Sequence, residues 1–226
     1  MQIDNLKRLR EKFVDDDPQN FFHEWDRIFS SPIEVTVNFY ERLDSWMSHI
    51  PDSEWEHFER KIEPVYRYCD LNKNRHWEKL FDVFNESFGF YVLSERYNCN
   101  NLRFYEQEGK APDIIGWADG IPHFIEVKTI NNSQEERDSW YDNTKKLSGF
   151  FNLPDALKRK IEGVYKEAID QLKSTVKFKN KKNFVGMIIK VDYNIPDFPD
   201  TITKKILDYL DEIEDEEYFI EFIANR

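Results

Sequence analysis

Cysteine, long apolar runs and net positive charge are all scarce in this chain. Its 226 residues hold two cysteines, Cys69 and Cys99. That is too few for a disulfide framework, and they show no metal-ligand spacing, which fits a reducing compartment. No stretch approaches the roughly 18 uninterrupted apolar residues that a membrane span needs. The first residues, MQIDNLKRLREKF, have no apolar core of signal-peptide length. The expectation is a cytoplasmic protein with no membrane partner. His23, His49 and His57 share no ligand spacing, and internal repeats and low-complexity tracts are absent. The formal net charge of −12, taken alone, argues against a nucleic-acid binder, because Lys and Arg supply the contacts to phosphate.

What is present is aromatic. Hydrophobic residues make up 40% and aromatics 16% of the chain, with 19 Phe, 11 Tyr and 6 Trp, so burial comes largely from rings and disorder across the whole length is excluded. The length fits one generous domain or a core domain with a smaller attachment. Charge is also uneven. Between Ala156 and Lys182 nine basic residues face three acids, whereas Asp208 to Glu221 carries eight acids and no base. A solvated helix face and a solubilising tail account for both, but a basic strip on an acidic body can also hold a polyanion.

Residues 1–70 read as an N-terminal helical region. Apolar residues recur at helical spacing, as in Phe39, Tyr40, Leu43, Trp46 and Met47, with breaks at Pro18, Pro32 and Pro51. This predicts three or four short helices, and Ser53 with Glu56 has the spacing of a capping box. Residues 71–226 read as an α/β domain. Trp77, Leu80, Phe81, Phe84 and Phe88 form one helical stripe stopped at Gly89, and FYVL after it reads as a strand. Two further strands flank Asp119-Gly120, a strong hairpin signal. A polar section after Ile130 is long for an internal connection. Then come a helix opened by Pro154, a buried strand FVGMIIKVDY, a helix TITKKILDYLDEI and a strand YFIEFIA. Such alternation predicts a mixed β-sheet flanked by helices.

The hairpin places charge where a structural strand would carry Ile or Val. With Asp119 and Gly120 as a two-residue turn, Trp117 faces Pro122 and, further out, Asp113 lies opposite Glu126. That pair is of the non-hydrogen-bonded kind, with Cβ atoms roughly 4.5–5.5 Å apart. Pro122 also falls in a non-bonded pair, so its missing N–H costs the ladder nothing. Two opposed carboxylates repel unless one is protonated or a cation lies between them. Strand alternation puts Lys128 on the face of Glu126, with Ile125, Val127 and Thr129 turned into the core. Hard oxygen ligands suit magnesium or manganese, and the lack of His and thiolate disfavours zinc.

Pro112-Asp113, twelve residues, and then Glu126-Val127-Lys128 at the end of an apolar strand resemble the PD-(D/E)XK nuclease superfamily. The element order from Arg75 to Tyr193 looks like that family's restriction-endonuclease-like core. The resemblance implies metal-dependent phosphodiester hydrolysis, with Asp113, Glu126 and the Val127 carbonyl as ligands of Mg2+ or Mn2+ and Lys128 beside the attacking water. Many members add an acid from the helix before the first strand, and Glu78 lies nearer the apolar stripe than Asp82 or Glu86. Gln171 borders the apolar face of the later helix, where relatives often carry a polar residue near the site. Lys166, Lys145 and Lys146 are candidates for phosphate contacts, and Trp140 and Tyr141 for base stacking. Of the three Glu-x-Lys tripeptides, Glu59 to Lys61 lies in a helical pattern and Glu108 to Lys110 in a polar loop, so only Glu126 to Lys128 has the required context.

The expectation is therefore a magnesium-dependent endonuclease acting on nucleic acid, chiefly DNA, in restriction, repair or recombination. Cutting both strands calls for two sites, hence a homodimer or a partner subunit. The alternative is a catalytically inactive nuclease-like binding module with an acidic surface, such as an immunity or anti-restriction protein that mimics nucleic acid. It explains the net charge but not the opposed acids or Lys128.

Overall fold

The computed structural model describes residues 3–30, 34–67, 69–70, 75–105, 111–130, 153, 155–175, 178, 180–190 and 199–225. Four helices open the chain: α1 (Asp4–Phe13), α2 (Phe21–Ser30), α3 (Glu34–Met47) and α4 (Asp52–Ile62). Each turns an apolar stripe inward, such as Leu6, Leu9 and Phe13 on α1 and Trp55, Phe58 and Ile62 on α4. The start of α4 agrees with expectation, but its cap does not. Pro51 is the N-cap and no side chain bonds there, so Ser53 and Glu56 form no capping box.

Two-residue strands β1 (Cys69–Asp70) and β2 (Arg75–His76) pair with each other and lead into α5 (Glu78–Tyr91). Here the expected strand at FYVL is wrong. Helix α5 continues past Gly89 to Tyr91, and Val92–Arg96 forms a π-type turn. Phe90, Val92 and Leu93 are buried, and a short buried apolar run looks the same in sequence whether it coils or extends. Gly89 marks a close approach rather than a stop: a Cβ there would stand 2.6 Å from Ile114 Cδ1. The sheet's first strand is instead β3 (Asn100–Phe104), which the sequence reading missed.

The sheet has five strands in the order β3-β4-β5-β6-β7, with β4 (Ile114–Ala118), β5 (Ile121–Ile130), β6 (Lys182–Lys190) and β7 (Tyr218–Asn225). The first two junctions are antiparallel and the last two parallel. Parallel neighbours need crossovers, and α6 (Asp155–Leu172) and α7 (Pro199–Ile213) lie between them in the chain. The β4–β5 register matches expectation, from Ala118 with Ile121 to Ile114 with Ile125. Asp119 and Gly120 both take positive φ, 53° and 75°, as a tight two-residue turn requires.

Both faces of the sheet are covered. Ile114, Ile125, Val127, Phe184 and Ile188 join one buried cluster with α5 and the N-terminal helices. Ile115, Phe124, Ile130, Val185, Met187 and Ile189 join a second with α6 and α7. The first cluster runs without a break from Ile3 to Ile188, so residues before 70 share a core with the sheet. Among the described residues, no helix is long and apolar enough to cross a membrane.

Candidate metal centre

The site exists because β5 outruns β4. The last β4–β5 pair is Ile114 with Ile125, yet β5 continues to Ile130 against β6. At this step Asp113 leaves the regular ladder. Its N–H donates to the Ile125 carbonyl (3.1 Å), its carbonyl accepts from the Tyr105 N–H (2.9 Å), and its Oδ2 accepts from the Val127 N–H (2.8 Å). The simple face-to-face pair with Glu126 is corrected accordingly: the Asp113 carboxylate takes the place of a strand partner to Val127. The two acids nonetheless act on each other, Asp113 being the charge that raises Glu126 most. The N–H and C=O of one residue point to the same edge of a strand, so the Val127 carbonyl faces the Asp113 side.

Glu126 is buried, and its Oε2 has no hydrogen-bond partner. Its Oε1 lies 3.0 Å from Lys128 Nζ, which also reaches Glu167 of α6 at 3.2 Å. Lys128 thus shares the face of Glu126, as alternation required. On the other face Thr129 accepts a hydrogen bond from Asn85 of α5 (2.9 Å).

The helix acid that meets this pair is Glu86, not Glu78. Glu86 and the strand acids Asp113 and Glu126 act on one another electrostatically. Glu78 opens α5, eight residues earlier and so about 12 Å away along the axis. The wheel misled because residues 84 to 90 are buried nearly all round the helix, including Asn85 and Ser87; no single stripe ranks positions there. Glu86 is paired with Lys61 of α4. Lys61 also sits 4.8 Å from the centre of the Phe104 ring. One of the discarded Glu-x-Lys tripeptides therefore delivers its lysine to the site, while its Glu59 pairs with Arg8 and Lys12. Nothing local in the sequence signals Lys61 or Glu167.

Desolvation dominates the electrostatics. Burial, followed by repulsion from Asp113, pushes the carboxyls of Glu86 and Glu126 up to about 8. Burial also raises Asp113, against the fields of Lys61 and Lys128 and the Val127 N–H. Lys128 would fall through burial, but Glu126 and Glu167 outweigh that and raise it. Glu126, Asp113 and Glu86 against Lys61 and Lys128 leave an excess of negative charge when ionised, and of the three acids Glu126 is the fully buried one.

Among the described residues, no three side chains of ligand type converge on one point; Asp113, Glu126 and Glu86 are each turned toward a protein donor. The donor set still fits a hard divalent ion. It offers oxygen only, more acid than base, and an orphaned buried oxygen on Glu126. Gln171 of α6 borders the same place: its Nε2 donates to the Ala111 carbonyl (3.3 Å) and its Oε1 is buried without a partner. Lys166 lies on the exposed side of α6. Lys145, Lys146, Trp140 and Tyr141 fall outside the described residues. No family model, curated protein or solved structure matches the chain.

Proposed function

We propose that this chain is a magnesium-dependent nuclease that hydrolyses phosphodiester bonds in DNA, of the restriction, repair or recombination type. One observation carries the reading: the buried, unpartnered Glu126 Oε2 beside Asp113, with Lys128 alongside. A sheet that needed only to pack would not bury Glu126 next to a second carboxylate at such cost. The order α5-β3-β4-β5-α6-β6, the one the PD-(D/E)XK resemblance implies, supports the finer restriction-endonuclease-like assignment.

Asp113, Glu126 and the Val127 carbonyl would hold the ion, with Glu86 as the helix acid in place of Glu78. When bound, a divalent ion lowers the pKa of its water toward neutrality and offsets charge gathering on the phosphate. Lys128 supplies a charged donor held 3.0 Å from Glu126, suited to orienting the attacking water or stabilising the transition state. Gln171 and Lys166, with Lys145 and Lys146, are the substrate-side groups in this reading.

Plasmid, linear and branched DNA incubated with the protein in magnesium tests it. Cleavage is expected, and is lost in EDTA and with Lys128→Ala. A folded wild-type protein that cuts none of these substrates in Mg2+ or Mn2+ sinks the reading, and tight binding to a protein partner without cleavage leaves the acidic module in its place.

A further inference from the structure

A second feature lies beside the centre, on the outer edge of the sheet. Strand β3 is an edge strand, and a cleft of about 400 Å³ opens between it and α4, lined by His57, Arg60, Arg103, Phe104 and Glu54 among others. That volume is in the range of small-molecule sites, roughly 300–1,000 Å³. The His57 ring stacks on Phe104 with centroids 4.5 Å apart. Arg103 is held over the Trp117 ring at 5.2 Å.

The cleft and the acidic centre are contiguous. Lys61, one residue after Arg60, rests on the Phe104 ring and pairs with Glu86. Tyr105, one residue after Phe104, donates its N–H to the Asp113 carbonyl at 2.9 Å. A ligand held in the cleft therefore lies against the same backbone that positions the acids.

Resting on the nuclease reading, we propose that this cleft is a subsite for one unstacked nucleotide of a single-stranded segment beside the bond to be cut. Charge balance points to the ligand class. Arg60 and Arg103 stand with two carboxylates, Glu54 and Glu56, and Glu54 already accepts the Phe104 N–H at 3.1 Å. A bare phosphate gains little from so balanced a lining. A nucleotide uses more of it: Arg60 supplies a charge for the phosphate, Glu56 can accept from the base, and the Arg103 guanidinium held over Trp117 and the imidazole held on Phe104 offer planes for stacking. A base paired in a duplex presents neither its face nor its pairing edge, so the segment must be single-stranded or flipped out.

The test uses the full chain in EDTA and a fluorescein-labelled oligothymidylate, read by anisotropy against a duplex of equal length. Arg60→Ala combined with Arg103→Ala weakens single-strand binding by about tenfold, the loss of roughly one stacked or charge-assisted contact. Duplex binding changes by less than about twofold. His57→Ala, made separately, gives the same selective loss, so the outcome does not depend on one variant's folding. In magnesium the double variant raises KM and leaves kcat unchanged, the mark of uniform binding. Unaltered single-strand affinity in both folded variants overturns the subsite, as does an equal loss for single strand and duplex. Absence of cleavage by the wild type counts against the nuclease reading alone, because the binding loss is measured without metal.

Discussion

Replacing Glu126 by Gln isolates the electrostatic cost of the centre. In the folded protein the Glu126 carboxyl is raised from 4.5 to about 8, first by burial and then by Asp113. A carboxyl raised on folding binds its proton more tightly in the native state, so its contribution to stability is complete below pH 4.5 and is lost as pH rises through 8. At about 1.4 kcal/mol per pKa unit, the window from pH 5 to pH 8.5 carries on the order of 3–5 kcal/mol. Glu86 rises for the same reasons, burial and then Asp113, and because the carboxyls act on one another the two losses do not simply add. Urea unfolding in EDTA at pH 5.5, 7 and 8.5 reads the effect. The wild type is expected to lose stability steadily, and Glu126→Gln, neutral throughout, to lose at least about 2 kcal/mol less over the window. Magnesium at pH 8.5 restores the wild type, because an ion that binds only the native state stabilises it, and does much less for the variant. Parallel pH profiles for the two proteins, or equal rescue by magnesium, would refute the argument that Glu126 is a buried acid awaiting a cation.

Two further substitutions probe how the centre is held. Lys61→Ala leaves Glu86 without its ammonium partner and should cost about 1–3 kcal/mol once Glu86 is ionised; the loss grows with pH, is smallest near pH 5.5, and a pH-independent loss would assign Lys61 a packing role only. Gly89→Ala should raise stability if helix propensity ruled, but its Cβ would meet Ile114 Cδ1 at 2.6 Å and the Cγ2 atoms of Ile125 and Val127 at 3.0 Å. Thermal unfolding is expected to show about 1–3 kcal/mol of destabilisation, and a raised melting temperature would mean that α5 can slide on the sheet.

Where local chemistry sufficed, the sequence was readable. Asp119-Gly120 set the turn, the turn set the register from Ala118–Ile121 to Ile114–Ile125, and alternation then put Lys128 on the face of Glu126, where the ion pair is found. The four N-terminal helices, α6 and β7 likewise followed from period and punctuation. FYVL failed because burial on all sides erases periodicity, and β3 was missed because NNLRF, with burial at only two alternate positions, carries little apolar signal of its own.

By itself, then, the sequence determined which strand carries the charges and how its hairpin partner is aligned, because both follow from backbone geometry over a few residues. Only the tertiary structure decided which acid from α5 comes near the strand acids, that Lys61 of α4 and Glu167 of α6 pair with the acid and the lysine there, and that Asp113 bonds to Val127 instead of extending the ladder. Those outcomes depend on how helices seat against a twisted sheet and where one strand stops short of its neighbour. Such contacts join residues that are 25 and 39 positions apart in the chain, and no periodicity within a single element encodes them.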